Sequence, residues 1–124
     1  MENNFIVAID FDGTITDEKK SKGYPFTGEV RQEAVVSIKK LKEKGCKLIL
    51  WTSRYGWSLK EAIAICKYYK LPFDTYNKNI PGVKSSKKIY ANFYIDNKSF
   101  LKEIDWKIIT DYILQQKEKK QCID

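Results

Sequence analysis

Phe5-Ile6-Val7-Ala8-Ile9-Asp10-Phe11-Asp12-Gly13-Thr14-Ile15 decides how the rest of the chain is read. Residues 5–9 are a short, uninterrupted apolar run containing Val and Ile, which suits a strand buried on both faces of a parallel sheet. The run breaks off at two carboxylates, Asp10 and Asp12, and a turn through Gly13 lets both face one point. In an open parallel sheet, ligands gather beyond the carboxyl ends of the strands. The residues that directly follow each apolar run are therefore the informative ones.

Working outward, Val30, Ala34, Val35, Ile38 and Leu41 recur at helical spacing, with Thr27 as the predicted cap and Gly45 as a left-handed stop. Residues 46–51 read as a second buried strand. Ser58 and Glu61 form a Ser-x-x-Glu capping box that opens a second helix, which runs to about Tyr69 and stops before Pro72. Residues 73–76 predict a weak third strand, and residues 92–95 a fourth with aromatic and β-branched content. A basic loop containing Gly and Pro separates them. Asp105 is the predicted cap of a last helix in which Trp106, Ile109, Tyr112 and Ile113 share a face. The polar residues beyond it are expected to fray.

This alternation predicts an α/β fold: a Rossmann-like domain with a central parallel sheet and helices on both faces, where right-handed crossovers put them. A length of 124 residues fits one domain. The expected division is residues 1–114 as that domain and 115–124 as a polar tail.

Composition removes several function classes. With 43% hydrophobic and 31% charged residues, the chain is of the globular type. The first residues lack the basic flank and apolar length of a secretory signal, and no run is long enough to span a bilayer, so a cytoplasmic protein without a membrane partner is expected. Cys46, Cys66 and Cys122 are an odd set without metal-type spacing, expected to stay reduced. The chain has no histidine, which rules out histidine metal sites and Ser-His-Asp or Cys-His nucleophiles. Chemistry must run on carboxylates, lysines and hydroxyls. The 23 Lys and Arg against 16 Asp and Glu favour anionic partners.

The residues that follow the strands are Asp10, Thr52 and Asp96. Two carboxylates and a hydroxyl at one edge, near several lysines, form a polar cluster that stability alone would not require. The stretch Asp10-Phe11-Asp12-Gly13-Thr14-Ile15 resembles the nucleophile motif of the haloacid dehalogenase superfamily. Leu48-Ile49-Leu50-Trp51-Thr52 resembles its second motif and Tyr94-Ile95-Asp96 its acidic fourth motif, with lysines between them. The resemblance extends from Phe5 to about Ile113 and is to the small phosphatases of that superfamily that lack a cap domain.

The resemblance implies a set of roles. Asp10 would attack phosphorus to give an aspartyl phosphate. Asp12 would protonate the leaving oxygen and later take a proton from water. Mg2+ would be held by Asp10, the backbone carbonyl of Asp12 and Asp96. Thr52 would hydrogen-bond a phosphoryl oxygen and Lys88 would offset charge during transfer, with Lys84 and Lys87 as alternatives in the same stretch. Ser53, Arg54, Tyr55 and Trp57 would lie against the substrate. Many relatives carry a second acid after the fourth-motif aspartate; here Asn97 stands there, able to orient a metal-bound water. An acid at position 12 favours phosphoryl transfer over dehalogenation.

Residues 14–27 leave room only for a small flap, and the Thr52 to Lys88 interval is mostly spent on a helix and a strand. The expected site is open, suited to a small phosphorylated molecule such as a sugar phosphate, with water excluded by a neighbouring subunit in a homo-oligomer. The basic balance keeps a nucleic-acid end phosphatase as an alternative, and Asn97 motivates a noncatalytic phosphate-binding module. Lys39, Lys40, Lys42 and Lys44, with Lys117, Lys119 and Lys120, read most simply as solvated faces.

Overall fold

The apolar run after Phe5 becomes β1 (Ile6–Ile9), buried along its whole length. The structure, a computed structural model, describes residues 4–17, 27–85, 88–96 and 104–123. After β1 come β2 (Thr16–Asp17), β3 (Glu29–Val30), α1 (Gln32–Glu43), β4 (Lys47–Leu50), α2 (Gly56–Tyr68), β5 (Thr75–Tyr76), β6 (Phe93–Ile95) and α3 (Trp106–Ile123). A four-stranded sheet has the order β5-β4-β1-β6, and β2 pairs with β3 separately. All pairings in the larger sheet are parallel, with Val7 opposite both Leu48 and Phe93, and Ile9 opposite both Leu50 and Ile95. The expected parallel α/β architecture is present.

The helices, expected on both faces, gather on one among the described residues. Val7, Ile9, Leu48, Leu50 and Ile95 point into a core completed by Ala34, Val35, Ile38 and Leu41 of α1, Ala62 and Cys66 of α2, and Trp106 and Ile113 of α3. Side chains alternate across a strand, so Ile6, Ala8 and Ile49 face the other way, where Ile80, Ile89 and Ala91 cover them. The cause is the direction in which the chain crosses the sheet. The steps from β1 to β4 and from β4 to β5 run the same way, so two right-handed crossovers put α1 and α2 together. The return from β5 to β6 runs backward and must pass over the opposite face. That return carries Pro81 and Gly82, the latter at φ +90°, and crosses as an irregular segment instead of a helix.

Two predicted caps are replaced. Thr27 lies too early to cap α1, because residues 29–30 are first used in pairing with β2. Arg31 takes the cap position without a side-chain bond, its carbonyl accepting from the Ala34 and Val35 N–H groups. Likewise α2 starts at Gly56 with Tyr55 before it; the Ser58 hydroxyl donates to the Tyr55 carbonyl, and Glu61 is turned to an arginine described below. The Gly45 stop holds, at φ +95° with its N–H on the Lys42 carbonyl. Asp105 caps α3 by accepting from the Ile108 N–H at 3.1 Å. That helix continues to Ile123, where fraying was expected from residue 115. Leu114 packs on the core and the Lys120 amine lies 5.8 Å from the Phe5 ring centre, so the polar end stays against the body of the fold. No helix among the described residues is long and apolar enough to cross a membrane.

Candidate active site

The pairing of β1 with β6 sets the first two groups. The Asp10 N–H donates to the Ile95 carbonyl at 2.9 Å, extending the ladder by one residue. Asp10 and Asp96 therefore leave adjacent parallel strands side by side, and both are half-buried. Beyond Asp10 the chain is pinned by Phe11, whose ring is fully buried and whose carbonyl accepts from the Thr14, Ile15 and Thr16 N–H groups. Gly13 adopts φ +79° in this turn and donates to the Thr16 hydroxyl at 3.1 Å. The Trp106 indole N–H reaches the Thr14 carbonyl at 3.2 Å, fastening the turn to the first turn of α3. Burying Phe11 leaves the carboxylates on either side of it at the edge of the sheet.

The end of β4 supplies the next two groups. The Thr52 N–H donates to the Asn77 side-chain carbonyl at 2.8 Å, and its hydroxyl oxygen accepts from the Arg54 N–H at 3.2 Å. With that oxygen engaged as acceptor, the hydroxyl proton is the part of Thr52 suited to a phosphoryl oxygen. The Arg54 side chain is almost wholly buried, only 1% exposed. Its Nε and Nη2 donate to the two carboxylate oxygens of Asp12, each at 2.7 Å. Nη1 donates to the Ser58 carbonyl at 3.0 Å and to Glu61 at 3.3 Å, and Nη2 also donates to the Thr27 hydroxyl at 3.2 Å. The hydrogen bond to Asp12, and then the charges of Asp12 and Glu61, push the Arg54 pKa above its ordinary value against the opposing effect of burial.

Residues 7–121 match the family of haloacid dehalogenase-like hydrolases. The chain belongs to that family. It is similar to a solved structure described as a conserved protein from Bacteroides thetaiotaomicron, at 37% identity and a TM-score of 0.79, over 92% of this chain and 93% of that one. None of the curated proteins gives a significant match.

In this haloacid dehalogenase-like hydrolase the lysine side of the site differs from the carboxylate side. The Lys88 amine lies 4.3 Å from the centre of the Tyr94 ring, and among the described residues it forms no ion pair with a site carboxylate. Lys84 is exposed, and Lys87 and Asn97 lie outside the described residues. Ser53 is exposed, as are Tyr55 and Trp57 at 78% and 83%. Arg54, expected at the substrate, instead has every N–H of its guanidinium engaged within the chain.

Two positioning residues escaped the sequence reading. Asn77, at φ +55°, fixes Thr52; an Asn just past a strand was the available signal. Glu61 was read as a capping acid, and nothing local distinguishes that use from a counterion to a distant arginine.

Among the described residues no three acidic or thiol side chains converge in a metal-type group. Asp10 and Asp96, which leave adjacent strands, would with the backbone carbonyl of Asp12 offer a sparse all-oxygen donor set. That fits magnesium, which commonly takes one or two carboxylates and completes its shell with water and phosphate oxygens. The Asp12 carboxylate is turned to Arg54, so only its carbonyl is left for such a role.

Proposed function

We propose that this hydrolase cleaves phosphomonoesters through an aspartyl-phosphate intermediate on Asp10, with magnesium as cofactor. One observation carries the reading: the β1–β6 register sets Asp10 beside Asp96 at the same sheet edge as Thr52 and the Asp12 turn. A carboxylate of Asp10 attacks phosphorus, and the bond to the leaving oxygen breaks as that oxygen takes a proton from Asp12. A water molecule then gives its proton to Asp12 and attacks the same phosphorus. This releases inorganic phosphate and restores the Asp10 carboxylate. The Thr52 hydroxyl holds a phosphoryl oxygen throughout, and a lysine of residues 84–88 offsets charge. When bound by Asp10, Asp96 and the Asp12 carbonyl, magnesium supplies charge neutralisation between nucleophile and phosphoryl group.

The substrate side of this reading is a small phosphorylated metabolite of the sugar-phosphate kind, in keeping with the absence of room in the sequence for a cap domain. Phosphate release is measured from a panel of phosphomonoesters, including oligonucleotide ends, with magnesium or with chelator. Wild type is expected to turn over at least one class only with magnesium, and Asp10→Asn to lose about 10³-fold or more in kcat. Equal release by Asp10→Asn would remove the nucleophile assignment. Binding of phosphorylated ligands without turnover would point to the noncatalytic module.

A further inference from the structure

We infer that Arg54 is a positioning residue: it holds the Asp12 carboxylate in the orientation from which Asp12 exchanges its proton with the leaving group and with water, and Glu61 and Thr27 hold Arg54. The inference rests on the phosphatase reading above. Three observations carry it. Arg54 meets Asp12 in a two-point geometry that fixes the plane of the carboxylate as well as its distance, which a single hydrogen bond or a lysine would not do. The remaining guanidinium donors are spent on Ser58, Glu61 and Thr27, so none is left over for a substrate phosphate. The guanidinium carbon also lies 5.1 Å from the centre of the Phe11 ring, the buried residue between the two catalytic carboxylates.

The exposures show which partner is held and which is presented. The Arg54 side chain is 1% exposed and that of Asp12 29%. The cation is sunk in the protein and the carboxylate stands at the rim. Burying a cation is costly unless it is paired and hydrogen-bonded. Here Asp12 and Glu61 both supply countercharge, Glu61 from a side chain 52% exposed. The first two turns of α2, Thr27 two residues before β3 and the nucleophile turn thus converge on one guanidinium, whose outward partner is the Asp12 carboxylate.

A residue that acts through a general acid has a kinetic signature different from one that binds substrate or supports the fold. An alkyl leaving group needs the proton from Asp12, whereas 4-nitrophenolate leaves without it. Arg54→Ala is expected to lower kcat/KM, which reports the steps up to departure of the leaving group, on the order of 10²-fold on an alkyl phosphate and only a few-fold on 4-nitrophenyl phosphate, without a rise in KM; kcat falls on both, because Asp12 also serves the water step that the two substrates share. Asp12→Ala should show the same selectivity, and the double variant no further loss. Methylguanidinium should restore the alkyl phosphate rate in Arg54→Ala but not in Asp12→Ala. Arg54→Lys should remain impaired, and Glu61→Gln should show the same pattern more weakly. Equal losses of kcat/KM on both substrates without rescue would overturn the inference in favour of a structural role, and a large rise in KM would overturn it in favour of a substrate contact.

The pair itself is read without turnover, from the thermal midpoints of Asp12→Asn, Arg54→Ala and the double variant. Midpoint shifts that simply add would mean that the two side chains are not coupled, and would overturn the inference whatever the kinetics. If the shifts are coupled but the wild type hydrolyses no phosphomonoester, the phosphatase reading fails and the proton role of Arg54 falls with it, while the ion pair stands.

Discussion

The two faces of the sheet are built from alternate residues of the same strands yet held in different ways. On the helical face, Val7, Ile9, Leu48 and Leu50 meet three helices, and the buried covering residues are apolar. On the other face, Ile6, Ala8 and Ile49 meet a chain segment with no helix, and polar side chains hold that segment in place. The Tyr94 hydroxyl donates to the Ile89 carbonyl and accepts from the Ala91 N–H; the Asn79 amide donates to the Ser85 hydroxyl and accepts from the Tyr90 N–H. An apolar face resists local opening through many small contacts, whereas a polar clasp depends on a few bonds. The functional groups divide along the same line. Asp12 and Arg54 are tied to α2 on the helical side, and the described candidate lysines, Lys84 and Lys88, sit on the clasped segment.

The largest effect that can break this comparison is a matched pair of truncations. Leu50→Ala, on the helical face and fully buried, is expected to cost about 2–5 kcal/mol in chemical unfolding, toward the upper part because helices on that face cannot collapse onto the cavity. Ile89→Ala should fall near the lower end of that range, because an irregular segment can settle into the space. Equal costs would mean that both faces are packed with the same rigidity.

A smaller effect sharpens the comparison on the clasped side. Tyr94→Phe keeps the ring under Lys88 but removes the hydroxyl shared by Ile89 and Ala91. It is expected to cost about 1 kcal/mol globally, and to speed amide exchange across residues 88–91 more than in α1. Uniform acceleration over both faces would show that the segment opens only with the whole domain.

What was legible in the sequence follows from where each signal is stored. Residues 5–9 are buried on both faces, so composition alone identifies the strand, and a carboxylate at its end falls at the ligand edge by topology. Asp10, Thr52 and Asp96 are singled out that way, and the structure puts all three just past strand ends. That no helix covers the second face among the described residues was not legible, because it depends on strand order: only once β4 and β5 are seen on one side of β1, with β6 on the other, does the return crossover have to change faces. The caps failed for another reason. Thr27 is left behind because residues 29–30 pair with β2 before α1 begins, while Glu61 has the spacing for a capping box with Ser58 but turns to a buried guanidinium from position 54, and nothing near either residue announces it. Asp105, with no such competitor, caps its helix as read.

The smallest effect separates the faces by pH. Cys46 and Cys66 both lie in the core of the helical face, and burial pushes their thiols from the ordinary 9.0 up to about 11 and about 12. Above pH 9 the unfolded chain loses protons that the folded chain still keeps, so stability must fall as pH rises; below pH 9 both states are protonated and these thiols contribute no slope. At pH 10 the loss is about 1 kcal/mol for each thiol. Cys66→Ala is expected to flatten the decline of the unfolding free energy between pH 8 and 10 by about that amount, apart from its constant packing cost. The clasped face has no buried thiol among its core residues, so Ile89→Ala should leave the slope unchanged. If the Cys66→Ala slope matched that of the wild type, the thiol would be meeting solvent in the folded state, and α2 would lie less tightly on the sheet than its buried face indicates.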